Sequence, residues 1–395
     1  MTNSLGSKKG WLVPCLCAAL LAATMWPLAR DTKGAHGGPS AQGGGVGGWT
    51  VLAPVSYKNL TLFPVRGRDL AGSGDYITLD QGIKNGTVII SEKGAAQAAV
   101  VRPRGGRGAN ARVQQQQVSM GGGGASVNEL ALTNKSGKKL LLLSGEVIIG
   151  GQQDRIVEED RIVPPVSVPV SLSVFCVEHG RWSHRTASAT AGRGAAPAQA
   201  QRGDIVSPVA TQAENFSSLG AISHPKLRGA AQDKKQQSEV WKEVSANNAK
   251  LGTANTTDTY QEVYASKKVS GQMDDYIRTL GKEVLQPGVV GVIVARNGEL
   301  VWVDAFASAS LFASYWPKLL KSYAVDAMGD NTSDKRPTVE QARRYLEERE
   351  GTVALAGQAG IYQLIKTEHP RYAVFELNDI SLKTPLRLHF NKMER

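Results

Sequence analysis

Between Leu140 and Trp182 four apolar runs alternate with polar turns, in the stretch LLLLSGEVIIGGQQDRIVEEDRIVPPVSVPVSLSVFCVEHGRW. Short runs rich in Val, Ile and Leu, broken by Gly, Pro and Asp, pair as antiparallel strands. The polar residues between them, Glu146, Gln152, Arg155, Cys176, Glu178, His179, Arg181 and Trp182, are therefore expected to gather near one edge of a sheet. Pro164, Pro165 and Pro169 cannot donate to a ladder, so they mark a turn and an edge or bulge.

The same strand-like pattern runs upstream through WTVLAPV, LTLFPV and TVIIS, with Thr78 placed to cap one short helix over Asp80–Gly86. Residues 93–126 break it. They hold RPRGGRGANAR, a run of glutamines and a run of glycines, the composition of an insertion. Residues 187–232, rich in Ala, Gly, Ser and Gln, read as a flexible linker or loop. Beyond them the period changes. Val240, Val244 and Leu251 share one helical face that closes at Gly252, and Met273, Tyr276, Ile277, Leu280 and Val284 share another. Phe312, Tyr315, Trp316, Leu319, Leu320 and Tyr323 define a third helix, with Ser308 and Ser310 leading into it. Pro317 predicts that it starts near Ser314 or kinks. Asn297-Gly298 between GVVGVIVA and ELVWVDAF predicts a two-residue hairpin. Thr338 with Gln341 forms a capping box, and IYQLIK, YAVFEL and LRLHF return to strands. The fold class is α+β: an antiparallel β-rich half over 49–186, then a mixed helix and strand half over 233–395.

Lys8 and Lys9 precede an apolar run from Trp11 to about Ala29. That is the form of an export signal, and no small-x-small cleavage site stands out, so a single-span anchor is the alternative. Residues 1–30 are read as signal or anchor, 31–48 as a Gly-rich linker, and the body as extracytoplasmic (secreted or periplasmic). Without that segment Cys176 is the sole cysteine, and the fold rests on its core rather than on disulfides. The net charge of +11 includes Arg102, Arg104, Arg107 and Arg112 in a glycine loop with no interleaved aromatics. That pattern suits a solvated loop and implies no specific nucleic-acid binding.

Two carboxylates, Glu146 and Glu178, are the candidate catalytic pair, since groups in different environments divide into acid and base. Gln152, Arg155, Arg181 and Trp182 are the candidate ligand-binding residues. A carboxylate beside Cys176 weakens it as a nucleophile, which disfavours a cysteine-hydrolase dyad. The spacing of His179 and His184 does not place them together on a strand or helix, and no metal or cofactor is expected. Serine-nucleophile, dinucleotide and phosphate-loop motifs are absent.

The segments LLLLSGEVIIGGQQDRIVEEDRIVPP, CVEHGRW, QSEVWKEV and YWPKLLKSYAVDAM resemble the ARG and rhodanese-phosphatase superfamily-associated protein domain family, over about Val51 to Phe390. The resemblance implies a link to ADP-ribose or nucleotide chemistry but carries no catalytic role. Three readings follow. The first is an extracytoplasmic protein binding an anionic or sugar/nucleotide-like small molecule in a polar pocket. The others are a hydrolase of a glycosidic or ADP-ribose-type bond working through paired carboxylates, and an envelope-associated interaction protein. Membrane contact is expected only through an uncleaved N-terminus, and the sequence defines no protein partner.

Overall fold

Strands from both ends of the chain meet in one sheet, and that meeting sets the architecture. The computed structural model describes residues 48–93, 128–180, 216–330, 333 and 335–395. The N-terminal apolar run, nearly all of the Gly-rich segment and of the basic insertion, Arg181, Trp182, His184 and residues 187–215 lie outside them.

In chain order, β1 (Thr50–Val51) and β2 (Val55–Tyr57) precede β3 (Leu60–Arg66), and β4 (Tyr76–Thr78) runs into α1 (Leu79–Lys84). Then come β5 (Val88–Glu92), β6 (Glu129–Asn134), β7 (Lys139–Leu142), β8 (Glu146–Gly150), β9 (Arg155–Val157), β10 (Arg161–Val163) and β11 (Val170–Cys176). Strand β12 (Phe216–Ile222) leads to α2 (Pro225–Gly229), a π-helical turn (Ala230–Lys234), α3 (Gln237–Leu251), α4 (Glu262–Ala265) and α5 (Lys267–Val284). The hairpin β13 (Val289–Arg296) and β14 (Glu299–Phe306) is followed by α6 (Ala309–Ala327) and α7 (Val339–Glu347). The last strands are β15 (Thr352–Gln358), β16 (Tyr362–Glu368), β17 (Tyr372–Asp379) and β18 (Leu386–Glu394). The fold is α+β.

A 9-stranded sheet runs β1-β3-β13-β14-β18-β17-β16-β15, with β2 also on β3. A 6-stranded sheet runs β12-β8-β9-β11-β6-β5, and a 3-stranded sheet β10-β7-β4. Pairing is antiparallel except between β4 and β7. The boundary expected at 187–232 is not where the sheets divide. Strand β3 is buried on both faces and pairs with β13 over Leu60–Arg66, so it belongs to the C-terminal sheet. Residues 216–232, read as linker, form a strand, a helix and a π turn. Their small residues conceal this: Gly220 takes a positive φ of 66° and the register shifts between Ser218 and Ile222, erasing alternation.

Burial explains the layers. Val292 and Val294 pack with α5 and α6 on one face of the large sheet. Ile293, Ala295 and Val303 pack with Ala342, Tyr345 and Leu346 of α7 on the other. The smaller sheets enclose a separate core of Leu130, Leu132, Leu140, Ile148 and Val174. Helix α6 begins at Ala309, not near Ser314, because Ser308 Oγ accepts the Leu311 N–H at 3.2 Å as its cap. Pro317 stays inside it. Buried Phe312, Tyr315, Leu319 and Tyr323 on either side of the proline outweigh a penalty of about 3 kcal/mol. The Asn297-Gly298 turn takes φ of 54° and 87°, as a hairpin of that type requires.

Candidate functional site

Glu146 follows Gly145, whose φ is 83° and where an added Cβ would lie 2.5 Å from Arg228 and from Ser223. The close turn drives the carboxylate inward. Glu146 is buried, accepts the Leu143 N–H at 2.9 Å and pairs with Lys318 of α6. Lys318 also reaches Asp80 at 2.9 Å, and these two carboxylates overcome burial and raise its affinity for a proton. The turn aims Glu146 neither at solvent nor at a pocket but at a buried ion pair.

Glu178 lies beyond the end of β11. Its carboxylate accepts the Asp154 N–H at 3.2 Å, and its carbonyl accepts from Gln153 at 2.9 Å. Cys176 is buried opposite Arg155 in the β11–β9 register, and burial pushes its thiol up, outweighing the hydrogen bond to Glu178 and the charge of Arg155. It is buried as a small packing residue. The Gln237 side chain reads the Cys176 backbone twice, N–H to Oε1 at 2.9 Å and Nε2 to carbonyl at 2.8 Å, as a neighbouring strand does. Gln152 gives its N–H to Glu92 at 2.9 Å, on the β5 side.

One strand, β9, stands between the two members of the candidate pair. Glu146 stands level with Val157 on β9, and Glu178 level with Gln153 two strands away from β8. Four residues along and two strands across put their Cα atoms about 15 Å apart. The hydrogen bonds described for the two carboxylates run to different partners, Leu143 and Lys318 for Glu146 and Asp154 for Glu178.

Two other centres emerge instead. In the first, Asp304 on β14 accepts both Arg228 guanidinium nitrogens (2.9 and 3.0 Å), Trp302 Nε1 (2.8 Å), Asn391 (3.1 Å), His389 Nε2 (3.0 Å) and the Tyr323 hydroxyl. The other His389 nitrogen, Nδ1, meets Asp160 at 2.5 Å. Burial alone would raise the Asp304 carboxyl, but Arg228 and His389 hold it well below the carboxylate range. Burial likewise opposes charge on His389, yet Asp160 and Asp304 lift it to about 9. The group is sealed from water and nearly saturated, so it joins β14, β18, α2 and the β9–β10 turn.

The second centre is open. A cavity of about 640 Å³ lies among α2, the π turn, α3, β14 and the end of β18. Val301, Trp302 and Met393 form its apolar floor, and Arg296, Asp326 and Glu243 stand among its charged walls. Asp326 receives Arg296 at 3.2 Å and faces His224 Nδ1 at 3.8 Å. Burial raises the Asp326 carboxyl despite Arg296 and Lys250. His224 is buried with both ring nitrogens unpartnered, and burial, helped by Lys250 and Lys226, lowers it to about 3. A neutral imidazole beside a carboxyl whose proton affinity burial raises is a pairing suited to proton transfer, at a concave apolar site. Among the described residues no helix is long and apolar enough to cross a membrane, and no group of three or more His, Cys, Asp or Glu could hold a metal ion.

Sequence reasoning passed over Asp326, Arg296 and His224. An ionisable residue inside an apolar run, as in VWVDAF or LRLHF, was the available signal for Asp304 and His389.

The ARG and Rhodanese-Phosphatase-superfamily-associated Protein domain matches residues 48–374. No curated protein and no solved structure matches the chain. The segments that carry the resemblance supply Glu243 and Asp326 to the cavity and Gln237 to the β11 edge. With that match covering well over half of its length, the chain belongs to the ARG and Rhodanese-Phosphatase-superfamily-associated Protein domain family.

Proposed function

We propose that this protein binds a small sugar- or nucleotide-like ligand, outside the cytoplasm, in the cavity beside Asp326. One observation carries the reading: a hollow of about 640 Å³ joins an apolar floor to charged groups of both signs. That volume falls within the range of small-molecule sites. Trp302 and Met393 suit the face of a ring. Carboxylates such as Glu243 accept from hydroxyl or amino groups, and Arg296 and Lys226 meet an anionic group. The basic start followed by an apolar run, Lys8 to Ala29, supports the location.

The alternative is hydrolysis of a glycosidic or ADP-ribose-type bond. It falls on Asp326 as proton donor, because burial lifts that carboxyl. Neither Glu146 nor Glu178 lines this cavity.

A thermal-shift series on the full chain tests the binding reading, with adenine nucleotides, ADP-ribose and neutral oligosaccharides as probes. One class should raise the melting temperature of the wild type by a few degrees. Val301→Trp, which fills the cavity floor, should abolish that rise. A rise that survives Val301→Trp, or none with any probe at millimolar concentration, overturns the assignment.

A further inference from the structure

Among the described residues the 9-stranded sheet ends at β15, and no other described strand is exposed along its whole length. All seven residues, Thr352–Gln358, are exposed on both faces. One side pairs with β16 along the whole strand, while β15 is the terminal strand on the other. Soluble proteins blunt such edges with charge, proline or a cover. The strand TVALAGQ has neither charge nor proline, and it presents Val353 at 57% and Leu355 at 60% exposure.

We propose that β15 is a dimerisation edge that pairs antiparallel with β15 of a second copy of this chain, about a two-fold axis through Leu355. The strand is complementary to itself in that register. Leu355 meets Leu355, Ala354 meets Ala356, Thr352 meets Gln358, and Val353 lies over Gly357. The gap at Gly357 is fixed by its own hairpin: its φ is 129°, and a Cβ there would lie 2.4 Å from the Tyr362 carbonyl. Charge does not oppose the same partner at this edge. The chain carries a net charge of +11, whereas this pairing opposes only neutral residues over Thr352–Gln358. The first charge, Glu350, meets Gly360. No like charges face each other, and the two large sheets become one continuous sheet.

Sedimentation of the purified full chain tests this directly. The wild type should sediment at twice the 42.1 kDa chain mass, and Leu355→Lys should weaken dimerisation by about thirtyfold or more. Leu355→Cys, in a Cys15→Ala and Cys17→Ala background, should cross-link to a dimer on mild oxidation, because opposed residues have Cα atoms about 4.5–5.5 Å apart. Val353→Cys, which faces Gly357, should cross-link far less. A monomeric wild type, or a dimer indifferent to Leu355→Lys, overturns the proposal. So does a Leu355→Cys chain shielded from thiol reagents while monomeric, since another segment then covers the edge.

Discussion

Two histidines, both almost fully buried, live under opposite regimes. His389 sits between Asp160 and Asp304, with both ring nitrogens engaged, and is lifted to about 9. His224 faces a carboxyl at 3.8 Å with neither nitrogen engaged, and is lowered to about 3. Burial pushes both the same way, towards neutrality. What differs is whether carboxylates stand close enough to overcome it. A nearly saturated, sealed cluster has little to offer a ligand and serves the fold. The unsaturated neighbour of the cavity is where a ligand has something to gain.

Asp304→Asn should break the comparison hardest. It leaves the buried Arg228 and His389 without their shared carboxylate, and should cost roughly 3–5 kcal/mol in urea denaturation. A cost under about 1 kcal/mol would show that the cluster is not structural.

Next is the alkaline limb. His389 is held above its unfolded value, so its contribution is complete below about pH 6.5 and is lost as pH rises through about 9. Roughly 3 kcal/mol should disappear across that window, and His389→Gln should flatten it.

His224 gives the opposite limb, because its folded value lies below the unfolded one. Stability is intact above about pH 6.5 and falls as pH drops towards 3. By pH 5 the loss should reach about 2 kcal/mol, and His224→Phe should remove it while changing neutral-pH stability little. Melting temperatures across the pH range measure both limbs.

Trp302 touches both regions, with its indole N–H on Asp304 and its ring at the cavity floor. Trp302→Phe should cost only about 1 kcal/mol by chemical denaturation, since Asp304 keeps its other donors.

The α+β class was legible because its signals are local. The Asn297-Gly298 turn, the N-cap at Thr78, the capping box at Thr338/Gln341 and the α5 stripe from Met273 to Val284 each depend on neighbours a few residues away. Strand β15 was missed for a physical reason: with both faces exposed, no alternation is imposed on it. The site was harder still. Asp304 finds Arg228 across 76 residues and His389 across 85, and Asp160 reaches His389 across 229. Glu146 and Glu178 were grouped by nearness in sequence, whereas the sheet separates them by two strands.

The Gln237 amide that stands in for a strand beside Cys176 has one more consequence. The Cys176 amide hydrogen is shielded by a helix side chain rather than by a sheet neighbour. Its exchange with deuterium therefore reports undocking of α3, while the amides of Val174 and Phe175 on the same strand report separation of the sheet. Two clocks run side by side within three residues, and the difference between them measures how tightly the wall carrying Glu243 is held.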